Sequence, residues 1–105
     1  MVDEGTLRQA AERLAERFHP ERIILFGSQA RGTATDRSDV DLLVVCDCAG
    51  RRHQMMVEMD RALAGMGFAK DIVVMTPEEF LLDSQIPGTV ARPAALEGRV
   101  IYERA

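Results

Sequence analysis

The 105-residue chain has no tryptophan, one tyrosine, two cysteines and a single lysine, Lys70. Each scarcity excludes something. Cys46 and Cys48 are too few and too close together to build a disulfide framework, which fits a reducing compartment. Aromatic residues make up only 5% of the chain beside six methionines, so the core must be filled by aliphatic, adaptable side chains. No apolar run approaches the roughly 20 residues that span a bilayer. The opening "MVDEGTLRQ" lacks the basic start and apolar stretch of a signal peptide. A cytoplasmic protein with no membrane partner is expected. The formal net charge of −4 argues against sequence-independent binding of nucleic acid, because that affinity comes from Lys and Arg displacing counterions along phosphates. No direct nucleic-acid contact is expected.

What the chain does contain is enough for one domain, residues 1–105, with a single core and no repeat, linker or low-complexity tract. In "TLRQAAERLAERF", Leu7, Ala10, Ala11, Leu14 and Phe18 share a face at helical spacing, and Pro20 stops the pattern. "RIILFG" and "DVDLLVV" read as strands joined by the polar "SQARGTATDRS". From Arg51 to Met66, apolar spacing predicts a second helix closed by Gly65 and Gly67. "KDIVVM" reads as a third strand. "TPEEFLL" begins a helix with Thr76 as N-cap and Pro77 at the first position. "TVARPAALEG" predicts a helix whose Pro93 is tolerable only near its start, and "RVIYE" a closing strand. The expected fold is α/β (α+β): a small mixed sheet of three to four strands covered by helices.

The chemistry concentrates in "FGSQARGTATDRSDVDLLVV". Side chains alternate along a strand, so Asp39 and Asp41 face the same way about 6.6 Å apart at the backbone. If their carboxylates converge to ~4 Å, repulsion is on the order of 4 kcal/mol at an effective dielectric of 20, and something must neutralise it. Asp71 opens the third strand, where a neighbouring strand can bring it beside the pair. Three carboxylates without a histidine or thiolate suit a hard, oxygen-seeking ion such as Mg²⁺, which takes substrate phosphates as further ligands. Gly27 directly after a strand lets backbone N–H groups approach a phosphate, Ser28 adds a hydroxyl at a helix start, and Arg31 adds a charged contact. No Walker-type loop is present. Taken singly, an acid pair at a strand mouth reads more often as a solvated strand end, and a Gly-Ser turn carries less still. Cys46, Cys48 and His53 make an incomplete zinc set, His19 reads as a helix-end residue, and Met55, Met59 and Met66 read as core.

Together, Gly27, Ser28, ten residues, Asp39, Val40, Asp41 and a later Asp71 resemble the DNA polymerase β nucleotidyltransferase superfamily, and within it the minimal nucleotidyltransferases. The resemblance extends from the first helix to "GRVIYE". It implies that Asp39 and Asp41 are paired metal ligands, and that Asp71 completes the metal site and takes the attacking group's proton. Gly27 and Ser28 fall where the family holds the triphosphate, with Arg31 beside them. The implied cofactor is Mg²⁺, as two ions, with ATP as the substrate whose AMP is transferred. Such chains act as antitoxins that adenylylate a tyrosine of a HEPN RNase toxin, so a HEPN-family toxin and a nucleoside triphosphate are the implied partners. Two other readings stay open: an antitoxin that works by occlusion alone, and a small-molecule nucleotidyltransferase acting on an aminoglycoside-like acceptor.

Overall fold

The computed structural model describes residues 2–35 and 38–104; Asp36 and Arg37, within the polar connection between the first two expected strands, lie outside the described residues. In chain order the elements are α1 (Glu4–Phe18), β1 (Arg22–Phe26), α2 (Ser28–Arg31), β2 (Val40–Val45), α3 (Arg52–Ala62), β3 (Lys70–Met75), α4 (Pro77–Asp83), α5 (Ala91–Glu97) and β4 (Arg99–Glu103). The strands form one mixed sheet in the order β3-β2-β1-β4. β1 runs antiparallel to β2 and β4, whereas β2 and β3 are parallel. A parallel neighbour needs a crossover, and α3 supplies it.

β2 explains the layering. Leu42 to Val45 are all buried, a continuous apolar run of the kind found where both faces of a strand are covered. Leu42 and Val44 pack with Ile23 and Leu25 of β1 against Leu14 of α1 and Met59 of α3. Leu43 and Val45 turn the other way and meet Ala91 and Ala94 of α5, with Phe80 of α4 at the margin. Helices therefore shield the sheet on both sides, and the small alanines let α5 lie close to it.

Local signals set most element ends. Asp3 caps α1 by accepting from the Thr6 N–H at 2.8 Å, and His19 ends the helix in a left-handed conformation just before Pro20. Thr76 and Glu79 form a reciprocal capping box at α4: the Thr76 hydroxyl accepts from the Glu79 N–H, while the Thr76 N–H donates to Glu79. Arg52 of α3 also holds Glu79, at 2.6 Å, which ties the two helices together. Pro93 is the third residue of α5, where its missing N–H leaves no helical bond unmade. α3 stops at Ala62, earlier than the apolar spacing predicts, because Gly65 and Gly67 take positive φ and turn the chain. Met66 still packs against the core from that turn.

Candidate functional site

The site begins where β1 ends. Gly27 follows Phe26 with φ 74° and ψ −154°, a conformation open in practice only to glycine. It swings the chain into α2, whose first residue is Ser28 and whose last is Arg31. The glycine is needed for space as well. Phe26 pairs with Asp41 across β1 and β2, so the carboxylate of Asp41 lies against the Gly27 backbone. A Cβ on Gly27 would collide with Asp41 Oδ2 and stand 3.2 Å from its Cγ. The Gly-Ser turn and the second aspartate are thus built around each other.

The register of the parallel pair brings in Asp71, which stands directly beside Asp41. Strand alternation places both side chains on the α5 face, in line with Leu43 and Val73. Asp39 immediately precedes β2 and is exposed, as is Asp71, while Asp41 is half-buried. The electrostatics agree with this grouping. Burial, then the charge of Asp71, then that of Asp39 push the Asp41 carboxyl above the ordinary range, and Arg31 partly offsets them. The three aspartates and Arg31 therefore share one local field.

Among the described residues no group of three or more His, Cys, Asp or Glu side chains is drawn into a formed metal cage. Burial first, and the neighbouring acidic charges after it, raise the affinity of Asp41 for a proton. The donor set is oxygen only, and its excess negative charge fits a hard divalent cation. Arg31 is not fully committed to the carboxylates, because its Nη1 lies 3.5 Å from Glu97 Oε2 of α5, with both side chains about half exposed. Sequence reading missed Glu97, which sits 66 positions away in the chain with no local motif to announce it.

Gln29 was missed too. It is buried beside Ser28, its Oε1 accepting from the Val2 N–H at 3.3 Å while its Nε2 has no partner. It lines a cavity of about 460 Å³ with Ser38, next to Asp39, and Ala69, two residues before Asp71. That cavity nevertheless opens on the opposite side, since its walls include Val2 and Phe68, which pack with the α1 and α3 core. Asp39, Asp41 and Asp71 are not among the residues that line this cavity.

The weaker candidates resolve structurally. Cys46 and Cys48 are free and buried in the α1 and α3 core, where burial pushes the Cys46 thiol up. Its Sγ lies 3.4 Å from Met55 Sδ. His53 is exposed on α3, and among the described residues no sulfur and imidazole set gathers.

A mixed sheet carries acidic side chains at one end, next to a Gly-Ser turn. Residues 7–100 match the family described as nucleotidyltransferase domain, and the chain belongs to that family; it is a nucleotidyltransferase. A Methanocaldococcus jannaschii protein, named as a proposed protein adenylyltransferase, is 30% identical over 97% of this chain and 100% of its own length. Two solved structures share the fold. One, from Sulfolobus solfataricus and titled as a proposed nucleotidyltransferase, aligns with TM-score 0.66 and 23% identity over 95% of this chain and 79% of that one. The other is a toxin-antitoxin structure with AMP-PNP, at TM-score 0.55 and 19% identity over 98% of this chain and 75% of that one. The fold and family expected from the sequence are thus met. Among the described residues no helix is long and apolar enough to cross a membrane.

Proposed function

We propose that this nucleotidyltransferase is a Mg²⁺-dependent protein adenylyltransferase antitoxin, acting in the cytoplasm as one domain over residues 1–105. It transfers AMP from ATP to a tyrosine of a partner HEPN RNase toxin. The observation that carries the reading is the register placing Asp41 beside Asp71 and against Gly27, which unites the acidic cluster with the turn suited to a phosphate. The relative named for protein adenylylation and the toxin-antitoxin neighbour support the choice of acceptor.

In this reading Gly27 and Ser28 offer backbone N–H groups and a hydroxyl to the triphosphate, and Arg31 adds a charge-assisted bond once it leaves Glu97. Asp39, Asp41 and Asp71 would hold Mg²⁺, which when bound supplies the positive charge that offsets carboxylates and phosphates together. The acceptor oxygen bonds to the α-phosphorus and the bond to the β-phosphate breaks. Pyrophosphate leaves with that electron pair, and the hydroxyl proton passes to Asp71. Positioning and electrostatics carry the step.

A second reading, silencing by occlusion, draws on the exposed Leu81, Leu82 and Leu96, apolar surface suited to a partner. One experiment separates the two. The protein is incubated with its toxin, Mg²⁺ and labelled ATP, CTP, GTP or UTP, and toxin mass and RNase activity are followed. The adenylyltransferase reading expects an AMP increment from ATP that disappears in Asp39→Asn. Inhibition without nucleotide and without a mass increase favours occlusion.

A further inference from the structure

Arg31 is the cation whose charge reaches Asp41, and it is already paired elsewhere. α2 is a single turn from Ser28 to Arg31, so these two residues stand three apart on one face of the helix. A phosphate held at the Ser28 hydroxyl therefore lies within the sweep of the Arg31 side chain. Without one, Arg31 Nη1 rests 3.5 Å from Glu97 Oε2, which α5 brings to it.

Packing of the backbone sets where Glu97 stands. Ala91 and Ala94 seat α5 on the sheet, and the Gly98 N–H closes the helix by donating to the Ala94 carbonyl at 3.0 Å. A Cβ on Gly98 would collide with that carbonyl oxygen and with the Ile24 side chain, so the helix end is pressed against β1. Glu97 is thus a fixed post. The next basic residue, Arg99, turns instead to Glu4 at 2.8 Å and leaves Glu97 to Arg31.

The pair is also of a kind that opens. Its one contact, between half-exposed side chains, is longer than the 2.6 Å of Arg52 with Glu79 and the 2.8 Å of Arg99 with Glu4. Exposed pairs of this sort are weak, and a phosphate that takes two parallel N–H bonds from the same guanidinium displaces the carboxylate. Any ligand that captures Arg31 must still offset the loss of the pair. A ligand too short to reach Arg31 loses nothing.

We propose that Glu97 is a positioning residue for Arg31: it holds the guanidinium before nucleotide arrives, competes with the polyphosphate tail for it, and takes it back as pyrophosphate leaves. The proposal rests on the adenylyltransferase reading and concerns how that site binds and releases polyphosphate. Glu97 touches no reacting atom and acts through Arg31 alone. ATP and pyrophosphate are therefore held less tightly than Gly27, Ser28, Arg31 and the metal would hold them without Glu97. AMP lacks the β- and γ-phosphates and is held equally well with or without it.

The test is titration calorimetry of the full chain with ATP, pyrophosphate and AMP, each with Mg²⁺, for wild type, Glu97→Gln, Glu97→Asp, Arg31→Gln and the double variant Arg31→Gln with Glu97→Gln. Glu97 is about half exposed, so neither substitution there empties the core. ATP and pyrophosphate should bind Glu97→Gln roughly two- to fivefold tighter, the range set by an exposed ion pair, with AMP unchanged. The gain should vanish in the Arg31→Gln background. Glu97→Asp separates reach from charge, because it keeps the carboxylate but draws it back by one methylene, and it should show most of the gain. A gain that persists without Arg31, extends equally to AMP or is absent from Glu97→Asp assigns Glu97 a general charge effect and overturns the proposal. Weaker ATP binding by Glu97→Gln overturns it as well. Each of these outcomes leaves the adenylyltransferase reading standing, whereas no binding of ATP by wild type or any variant sinks that reading and the proposal with it. The expected gain without AMP transfer to the toxin supports the role of Glu97 and counts against the adenylyltransferase reading.

Discussion

Gly27→Ala tests the junction on which the site depends. The substitution acts twice. First, φ 74° with ψ −154° lies in a region essentially reserved for glycine, so forcing alanine there costs roughly 1–3 kcal/mol. Second, the new methyl would overlap Asp41 Oδ2, so the carboxylate must move from the position it shares with Asp71. Gly32→Ala is the ruler for the first effect, because Gly32 has φ 76° and ψ 15° and a Cβ there meets nothing within 4 Å. It should cost about 1–2 kcal/mol, the ordinary left-handed penalty. Asp41→Ala is the ruler for the second. It removes the colliding carboxylate and leaves Cβ of residue 41 at 3.5 Å, an ordinary contact.

The assay is urea denaturation of wild type, Gly27→Ala, Asp41→Ala and the double variant, with ATP titration alongside. Gly27→Ala should be less costly in the Asp41→Ala background, with a coupling of about 0.5–3 kcal/mol, and should weaken ATP binding in the otherwise native chain. At roughly 4–8 °C per kcal/mol for a domain near this size, the loss is visible in a thermal melt. An equal cost in both backgrounds, no greater than that of Gly32→Ala, would falsify the mutual fit of turn and carboxylate.

Other perturbations follow from the same geometry. Asp41 binds protons more readily folded than unfolded, so its contribution to stability is present below the ordinary carboxylate range and is lost as pH rises through its raised value. Asp41→Asn should therefore melt above wild type at pH 7, with the gap closing in acid; a gap independent of pH across differential scanning melts contradicts the crowding. Millimolar Mg²⁺ with ATP should raise the melting temperature of wild type, by about 2.7 kcal/mol of stability at a hundredfold excess over Kd, and leave Asp71→Asn unmoved. Equal shifts in both would remove Asp71 from the binding set. Thr76→Ala breaks the capping box of α4 and should cost about 1 kcal/mol by denaturation. Leu14→Ala empties a fully buried position under the sheet and should cost roughly 2–5 kcal/mol. A loss below 1 kcal/mol at Leu14 would mean that α1 packs less tightly than described.

Several elements were legible because their signals are local. β3 occupies the whole of "KDIVVM" and β4 the whole of "RVIYE". Thr76 caps α4, and Pro93 lies in a first turn. Asp39, Asp41, Gly27 and Ser28 stood out because their chemistry falls within one short stretch. The end of α3 was overestimated, since apolar spacing runs through to Met66 although positive-φ glycines break the helix first. Glu97, which meets Arg31, and Gln29, buried behind Ser28, carried no signal, because their roles arise from residues and elements far apart in the chain.

Periodicity, caps and the spacing of acids after a Gly-Ser turn determined the elements and the kind of chemistry, since each depends on neighbours a few bonds away. Only the tertiary structure decided that Asp71 stands level with Asp41 and that the missing Gly27 Cβ makes room for that carboxylate. It alone decided that β3 lies at an open edge. Strand order and register are settled by packing both faces of the sheet at once, and a one-residue slip would have turned Asp71 to the opposite face.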